Sequence, residues 1–587
     1  MASYCDTGSP NLLVGAIDFG TTYSGWAYSF YHDFKLDPTK AFVKQWHSGS
    51  GTLATEKTPT VILIQPDGKT LEAFGYEAEN RYRDLTDMGE HHEYYYFRKF
   101  KMMLHKQLSE RLDRSVTLEE EMGKTLAAID VFAMSIKFLV DDMHEAARLR
   151  VSGIIERSDV YWVLTVPAIW TDSAKQFMRE AAEKAGIARE KLSIALEPEA
   201  ASIYCRHLPI DRTVGHTNVS ISSLPVGTSY MIFDAGGGTI DITVHEVNDS
   251  GGVKEVTAAS GGGWGGTLVD QAFEDLLDDL VGKEVYRKFK LEQTEDWLEM
   301  MREFEVKKRT VHPEKEGRIL MKFPVSLSKM SEKKNQHDLE EFIRDSAEYS
   351  GKVEFVYDKM KFTADVFKHL FQKSNSKTIR HVKSIMEESP VYNLKAILMV
   401  GGYSESPMLQ HAVRNAFSFL EIIIPNEASS AILRGALICG HRSELISERV
   451  LKYTYGVKCT VAFIKGKHPE SKRIFTDSGV RCDKIFSKHV EKGQIVTTGQ
   501  AQVKKTYTPS NIDQHLLCVQ LYASKMKNPE YTDTGCYYIG SMTVDTIVGG
   551  LDCKVDVSLT FSGTEIKVES KVRKTGQKTD AVINFLG

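Results

Sequence analysis

The fold of this chain is decided by IDFGTTYS at residues 17–24 and by IFDAGGGTID at residues 232–241. Each stretch is typical of a β-strand that ends in an aspartate, followed by a turn of Gly and Thr and then a second strand. Glycines let backbone N–H groups approach a phosphate closely, and threonine hydroxyls add further donors. Two such hairpins facing each other would hold a polyphosphate from both sides. The pair therefore predicts a nucleotide-binding cleft between two related halves of the chain.

Length and composition indicate a globular protein of several domains. The 587 residues are 42% hydrophobic and 26% charged, and the formal net charge of −5 is too small to imply a nucleic-acid partner. The charge is unevenly distributed, because residues 449–587 carry 21 Lys and Arg against 13 Asp and Glu. This basic surplus indicates either a solvated surface with Lys at strand edges or a surface for acidic proteins or anionic lipid.

The sequence shows no sign of export or of a membrane-spanning segment. Residues 1–11 are polar and lack the pattern of a signal peptide, and the apolar runs 161–166 and 396–400 are too short to cross a bilayer. The eight cysteines are scattered without metal-like pairing, which is typical of reduced thiols. We therefore expect a cytoplasmic protein, with the nucleus as an alternative and the oligomeric state left open.

The chain divides into two parts by the type of its predicted elements. Residues 12–447 alternate strands with helices such as 172–185 and 294–310, the pattern of α/β layers. Residues 450–587 contain short alternating runs broken by Gly, Pro, Asn and Asp, which predict an all-β, sandwich-like domain. The predicted strands of this domain are 453–462, 474–475, 494–498, 516–522, 540–544, 554–561 and 565–571.

Five further segments, in order, resemble the motifs of one family. They are LTVPAIWTDS at 164–173, EPEAA at 197–201, EVKKRT at 305–310, VGGYS at 400–404 and PNEA at 425–428. Together with the two hairpins, they make the chain resemble the actin-like ATPase superfamily, and within it the 70 kDa heat-shock (Hsp70) family. AIDFGTTYSG at 16–25, FKM at 100–102 and a C-terminal part without a helical lid are most similar to the divergent branch called heat shock 70 kDa protein 12.

This resemblance implies an α/β fold of two lobes around a central nucleotide cleft, the duplicated ribonuclease H-like architecture of actin-like ATPases. The first lobe would span about residues 12–210 and the second about residues 228–447. The all-β domain at 450–587 would follow without a helical lid. The implied ligands are ATP or ADP and Mg²⁺.

The resemblance also assigns binding roles at the cleft. Asp18 and Asp234 would hold the metal, mainly through its water molecules. The residues expected to bind the phosphates are Gly20, Thr21, Thr22, Tyr23, Gly236, Gly237, Gly238, Thr239, Gly265 and Gly266. Those expected near the ribose and base are Glu305, Lys308, Arg309, Gly401, Gly402 and Tyr403. The simpler alternatives are aspartates that stabilise their own turns and ordinary helical ion pairs among residues 305–309.

The same resemblance implies four catalytic residues. Glu197 and Asp241 would orient or deprotonate the attacking water, and Thr239 would lie beside the phosphates. Lys101 would face the γ-phosphate, with Lys99 as an alternative in the same basic segment. A solvated helix face is the simpler interpretation of that segment.

The adenosine end departs from the family pattern, whereas the phosphate end keeps it. Tyr403 stands where a small Ser is usual, and it either stacks on the base or narrows the pocket. Glu405 stands where the family has an Arg, and Asn426 replaces an Asp. Nucleotide binding is still expected, but the preference for adenine over other bases stays open.

Two functions are compatible with these motifs. The first is an atypical chaperone of the stress-response type, in which weak ATP hydrolysis is coupled to a client-binding β domain. The second is a nucleotide-dependent adaptor with little or no turnover, which binds client or signalling proteins or anionic lipid through residues 450–587. A small-metabolite kinase or a filament-forming protein fits less well, because segments 197–201 and 305–310 resemble those of the chaperones.

Overall fold

The computed structural model of this chain describes residues 11–47, 54–106, 112–150, 155–208, 221–249, 252–336, 338–388, 393–442, 445–546, 550–562 and 565–583. The predicted end of the first lobe, at about residue 210, lies outside the described residues. Within the described ranges, no helix combines the length and apolar character needed to cross a membrane.

The first large sheet is built around the strand that precedes the first glycine-rich turn. Leu13–Phe19 pairs antiparallel with Tyr23–Phe30 and parallel with Val160–Val166. Alternate residues of this strand belong to two apolar clusters, one shared with helix Ala128–Arg148 and one with helix Ala431–His441, because side chains alternate between the faces of a sheet. In spatial order the strands are Leu192–Leu196, Val160–Val166, Leu13–Phe19, Tyr23–Phe30 and Phe42–Val43, with Thr58–Pro59 also paired to Tyr23–Phe30.

The second large sheet repeats this arrangement. Ser229–Ala235 pairs antiparallel with Ile240–Val247 and parallel with Leu394–Val400. The two hairpins therefore occupy equivalent places in two sheets of the same local topology. The strands in spatial order are Glu421–Ile423, Leu394–Val400, Ser229–Ala235, Ile240–Val247, Val253–Gly262, Ile446–Val450 and Ile495–Thr497.

Helices pack on the sheets and begin where the sequence signals predict. Thr171 caps helix Asp172–Lys184 by accepting a hydrogen bond from the Ala174 amide, and helix Thr294–Thr310 has the predicted bounds. The other helices are Tyr31–Leu36, Tyr76–Met88, Met102–Lys106, Ala128–Arg148, Glu197–Cys205, Gly266–Val281, Lys283–Glu292, Val325–Asn335, Leu339–Asp345, Ala364–Leu370, Gln372–Glu388, Pro407–Ala416 and Ala431–His441.

Among the residues that the structure describes, four small sheets complete the N-terminal three quarters of the chain. One consists of Val61–Ile64, Leu71–Phe74 and Tyr95–Arg98, and it carries the chain toward Lys99 and Lys101. The others are Arg318–Lys322 with Val353–Val356 and Lys359–Thr363, Thr117–Glu119 with Thr125–Ala127, and Trp46–His47 with Ala54–Thr55.

Within its described residues, the C-terminal part contains two antiparallel sheets that share one apolar core. Val457 and Val519 of one sheet pack in the same cluster as Val557 and Val568 of the other. The first sheet has strands Arg473–Thr476, Gly479–Val490, Thr454–Ala462, Leu516–Ser524 and Cys536–Asp545. The second has Lys505–Tyr507, Val555–Ser562, Glu565–Val572 and Lys578–Val582.

The junction between the two parts is a continuous sheet. Ile446–Val450 lies parallel to Val253–Gly262 and antiparallel to Ile495–Thr497, so a strand from the C-terminal part forms the edge of the second large sheet. The predicted boundary at residues 447–450 falls inside this strand. The domain limits therefore stay a prediction, and a cut at 450 would remove the edge strand from the second large sheet.

Candidate nucleotide-binding site

The two glycine-rich turns border a cleft of about 1050 Å³ between the two large sheets. Most of the predicted site residues line it, namely Asp18, Gly20, Thr21, Thr22, Tyr23, Lys101, Glu197, Asp234, Gly236, Gly237, Gly238, Thr239, Gly266, Glu305, Lys308, Arg309, Gly401, Gly402 and Tyr403. Neither Gly265 nor Asp241 is among the described residues of its wall.

The turns meet face to face, and glycine is required where they touch. A Cβ on Gly237 would collide with the side chain of Thr22, and a Cβ on Gly238 would lie 2.6 Å from Thr21 Oγ1. Contacts this short do not occur for real side chains, so only glycine allows the backbone of the second turn to approach the threonines of the first. The N–H groups and hydroxyls of both turns are thereby brought to one point in the cleft.

Gly265 and Gly266 support the second turn from behind. The Gly265 amide donates to Gly238 O at 3.3 Å, and the Thr267 amide donates to Gly237 O at 2.7 Å. Gly266 begins the 16-residue helix Gly266–Val281, whose first turn therefore lies against this hairpin. The first amides of this helix are paired with the turn itself, Gly266 N–H with Gly236 O and Thr267 N–H with Gly237 O, so the helix start holds the turn in position.

Four buried carboxylates lie beside the turns, Asp18, Glu197, Asp234 and Asp241. Burial raises the pKa of Glu197 to about 7; the Lys101 ammonium opposes this shift, and Asp18 and Asp241 add to it. Burial, then the neighbouring carboxylates of Glu197 and Asp241, raises the pKa of Asp234 well above its ordinary value. The cluster therefore disfavours negative charge and favours a bound cation.

Two lysines are hydrogen-bonded to this cluster. Lys101 Nζ donates to Glu197 Oε1 at 2.9 Å and lies over the Trp170 ring at 4.9 Å from its centre. Lys57 Nζ donates to Asp18 Oδ2 at 2.5 Å. Lys101 is thus the lysine beside the predicted catalytic carboxylate, whereas Lys57 was not identified from the sequence.

The residues present fit a hydrated cation on one side of the cluster. Asp234 Oδ1 is buried and has no hydrogen-bond partner among the described residues, so a metal-bound water would satisfy it. Asp18 differs, because its Oδ1 accepts from Thr165 Oγ1 at 3.0 Å and its Oδ2 accepts from Lys57. Asp234 is therefore the carboxylate with an oxygen free to hold a water ligand of Mg²⁺.

Asp241 lies behind the phosphate-binding turn. Its Oδ2 accepts from Thr239 Oγ1 at 2.9 Å, and its Oδ1 accepts from the Ile169 amide at 2.9 Å. The side chain is 1% exposed. The predicted role of Asp241 beside the attacking water stays a prediction; in this geometry Asp241 accepts a hydrogen bond from the Thr239 hydroxyl, and Thr239 lines the cleft.

The predicted base-binding residues form an ion-pair network at the other end of the cleft. Lys308 Nζ lies 2.6 Å from Asp270 Oδ1 and 2.5 Å from Glu305 Oε2, and Lys99 Nζ lies 2.8 Å from Asp270 Oδ2. Burial would raise the pKa of Asp270, but Lys308 and then Lys99 lower it to about 2. Lys99 therefore pairs with Asp270 among the predicted base-binding residues, and not with the carboxylates beside the glycine-rich turns. Asp270 lines the cleft and was not predicted from the sequence.

Arg309 and Tyr403 take different positions in the wall. The Arg309 guanidinium lies over the Tyr23 ring at 4.9 Å and bonds Glu305 at 2.8 Å. Tyr403 is 7% exposed, its hydroxyl donates to Ser374 Oγ at 3.2 Å, and its ring lies against Gly266. Tyr403 is thus held mainly inside the wall.

The cleft is connected to the C-terminal part through the segment after strand Val160–Val166. The Ile169 amide is bound by Asp241, and Ile169 O accepts from Lys452 Nζ at 2.7 Å. Nearby, Tyr455 Oη donates to Asp172 Oδ2 at 2.8 Å. Three consecutive contacts therefore link Thr239 to Lys452, and the Tyr455–Asp172 hydrogen bond is a separate contact between the same segment and the C-terminal part.

Comparison with known proteins identifies the family of the chain. The sequence model of the Hsp70 family, described as Hsp70 protein, matches residues 86–477. Heat shock 70 kDa protein 12A of Mus musculus is 33% identical over 98% of this chain and 92% of its own length. Heat shock 70 kDa protein 12B of Homo sapiens is 32% identical over 98% and 91%. Chaperone protein DnaK of Trichormus variabilis is 26% identical over 62% of this chain and 46% of its own length.

The family model covers well over half of the chain, and the first two relatives align with almost all of it. The segments that build the cleft from residue 86 onward, including the second glycine-rich turn, lie inside the matched range. The chain therefore belongs to the Hsp70 family and resembles its divergent branch of heat shock 70 kDa proteins 12A and 12B.

Proposed function

We propose that this chain binds Mg·ATP between its two glycine-rich turns and hydrolyses it slowly, as an atypical Hsp70-type protein. The observation that carries the proposal is the direct contact of the two turns beside Lys101 and Glu197. In this proposal the two large sheets form the lobes of a duplicated actin-like fold, and residues 450–587 form a β domain that binds clients. Family membership supports nucleotide binding.

The cleft residues have separate roles in this proposal. The amides of both turns, including that of Thr239, and the Thr21 and Thr22 hydroxyls hold the phosphates, and Lys101 neutralises charge at their outer end. Bound Mg²⁺, held through water at Asp234, would neutralise further phosphate charge. Glu197 accepts the proton of the attacking water. Asp241 keeps Thr239 in place.

Hydrolysis through Glu197 predicts a specific dependence on pH. Because the pKa of Glu197 is raised to about 7, the carboxylate that accepts a proton forms as pH rises, and turnover should increase between about pH 6 and pH 8. Glu197→Gln should lower turnover by about 10²–10⁴-fold and remove this pH dependence. Steady-state release of phosphate at saturating Mg·ATP measures both effects.

Glu199→Gln is the matched control, since Glu199 is a buried glutamate on the same helix and pairs with Arg449 outside the cleft wall. It should keep the pH profile. If wild-type turnover were no faster than that of Glu197→Gln, the ATPase proposal would fail.

The second candidate function is an adaptor that binds nucleotide with little or no turnover. It is favoured by the position of Asp241, because both of its carboxylate oxygens are engaged behind Thr239 and neither faces the cleft. Glu197 alone would then remain to activate water. Such an adaptor would bind client or signalling proteins, or anionic lipid, through the basic C-terminal part.

Coupling between the cleft and the β domain is part of the proposal, and it runs through Ile169. Lys452→Met combined with Tyr455→Phe removes the two hydrogen bonds to residues 169 and 172. Amide exchange in segment 167–172 should then rise by about tenfold, because the segment loses its partners, while ATP affinity changes little. Hydrogen-exchange mass spectrometry is the measurement.

Lys465→Met with Tyr538→Phe is the control of equal chemistry, since Lys465 lies in an exposed turn after strand Thr454–Ala462 and Tyr538 is exposed on strand Cys536–Asp545. Equal exchange in both double variants would contradict coupling by this route.

A further inference from the structure

We propose that Lys57 is a built-in cation of the nucleotide site, which takes over part of the role of the metal ion. The inference rests on the proposed function, and it adds that nucleotide binding depends only weakly on Mg²⁺. It starts from the contact between Lys57 and Asp18, one of the two aspartates that end the strands before the glycine-rich turns.

The Lys57 ammonium pairs with Asp18. Lys57 Nζ lies 2.5 Å from Asp18 Oδ2, and Thr165 Oγ1 donates to Asp18 Oδ1 at 3.0 Å. Asp18 is 3% exposed at its side chain, and Lys57 is 14% exposed. Both oxygens of Asp18 are thus occupied, in contrast to Asp234 Oδ1. The ammonium lies where a cation on the first hairpin would otherwise be held.

The fold positions Lys57 for this contact. Thr55 Oγ1 donates to Lys57 O at 2.7 Å, and the next residue, Thr58, pairs with Ser24 at the end of the first hairpin. The lysine stem crosses Gly25, where a Cβ would lie 3.1 Å from Lys57 Cγ. The side chain is therefore packed along the first sheet and directed into the cleft.

The surrounding charge explains why one more cation matters. Within the described chain, four buried carboxylates share this site, and Lys57 and Lys101 are the lysines hydrogen-bonded to them. Lys57 Nζ lies 2.5 Å from Asp18 Oδ2, and Lys57 itself lines the cleft. A lysine ammonium is therefore already part of this site when a polyanionic phosphate chain enters the cleft.

A fixed ammonium changes what the metal must supply. Without Lys57, one lysine would face four carboxylates and the incoming phosphates, and an added divalent ion would be needed to offset their repulsion. With Lys57 in place, a side chain of the protein supplies part of the positive charge that offsets this repulsion. The metal at Asp234 is then an addition to the site, and not a condition for binding.

The test is ATP binding by calorimetry in excess Mg²⁺ and in excess EDTA. Wild-type affinity should fall by less than about tenfold when Mg²⁺ is removed, whereas Lys57→Met should lose more than about 100-fold, because one unit charge a few ångströms away is lost. In excess Mg²⁺, the affinities of the two proteins should differ by less than about tenfold. Lys57→Arg, which keeps the charge, should resemble the wild type.

A second readout uses the metal alone. Mn²⁺ titrated without nucleotide and followed by electron paramagnetic resonance should detect a site in Lys57→Met that the wild type lacks, because Asp18 becomes available to it. Lys40→Met is the control of equal charge, since it removes an exposed lysine from an ion pair with Asp33 outside the cleft. It should behave as the wild type in both measurements.

The outcomes separate the two proposals. If the wild type loses more than about 100-fold of its affinity in EDTA, or if Lys57→Met shows the same dependence on Mg²⁺ as the wild type, the role of Lys57 is overturned while nucleotide binding stands. If no ATP binds under either condition, the proposed function falls and this inference falls with it. Should Lys57→Met fail to fold, the comparison of wild type with and without EDTA decides alone.

Discussion

Asp234→Ala combined with Thr239→Ala is expected to abolish ATP binding. Asp234 carries the carboxylate oxygen left free for a hydrated metal, and Thr239 supplies a hydroxyl at the tip of the second turn. Loss of the metal-holding carboxylate should cost less than about tenfold, as the weak dependence on Mg²⁺ requires. Loss of the Thr239 hydroxyl leaves the buried Asp241 carboxylate without this donor and loosens the turn, which should cost up to about 100-fold, so the combined loss should approach about 1000-fold, or about 4 kcal/mol of binding free energy. Calorimetry with Mg·ATP measures this loss.

The chain offers a matched control for this double variant. Asp67 and Thr70 form a hydrogen-bonded Asp–Thr pair in an exposed loop, and neither residue lines the cleft. Asp67→Ala with Thr70→Ala should leave ATP affinity unchanged. If the cleft variant bound Mg·ATP with wild-type affinity, the assignment of the phosphate site to the two turns would be wrong.

Gly237→Ala is expected to have the second largest effect. The added methyl group would overlap the side chain of Thr22, so the two turns would have to move apart before any phosphate could contact both. The donors of the two turns would then no longer reach one anion together, and affinity for Mg·ATP should fall by about 100-fold or more. Fluorescence titration with a labelled ATP is a suitable measurement.

Gly402→Ala separates this steric effect from a general intolerance of the cleft. Gly402 also lines the cleft, but no atom lies within 4 Å of the position that its Cβ would take. The affinity of the Gly402→Ala variant for ATP should stay within about threefold of the wild type. Equal losses in both variants would argue against direct contact of the turns in the nucleotide-binding state.

The elements with strong local signals were predicted well. Helix Thr294–Thr310 and strand Leu394–Val400 have the predicted bounds, since each has a clear apolar period and clear ends. Strand Gly479–Val490 was missed. Its buried residues are confined to Cys482, Phe486 and the last two positions, and Arg, Lys, Asp and Ser occupy most of the others, so no alternation marks it.

The site residues likewise divide into those that sequence motifs mark and those that they do not. The predicted turns and Lys101 line the cleft together. They could be predicted from the sequence because each of them lies in a family motif. Lys57 and Asp270 were missed, since nothing in their own segments marks them and their charged partners lie 38 or more residues away in sequence. The role of Asp241 beside the water stays a prediction, because a sequence motif does not show which way a carboxylate faces.

The sequence by itself determined the family, the two hairpins and the order of helices and strands. These are local properties, set by glycines where the chain must turn tightly and by apolar periods that fit one type of element. Only the tertiary structure decided that Lys57 neutralises Asp18 and that Asp241 faces Ile169 and Thr239. It also decided that a C-terminal strand forms the edge of the second large sheet. Such contacts join segments far apart in the chain, and they form only when folding excludes water and leaves each buried charge or edge N–H to find a partner.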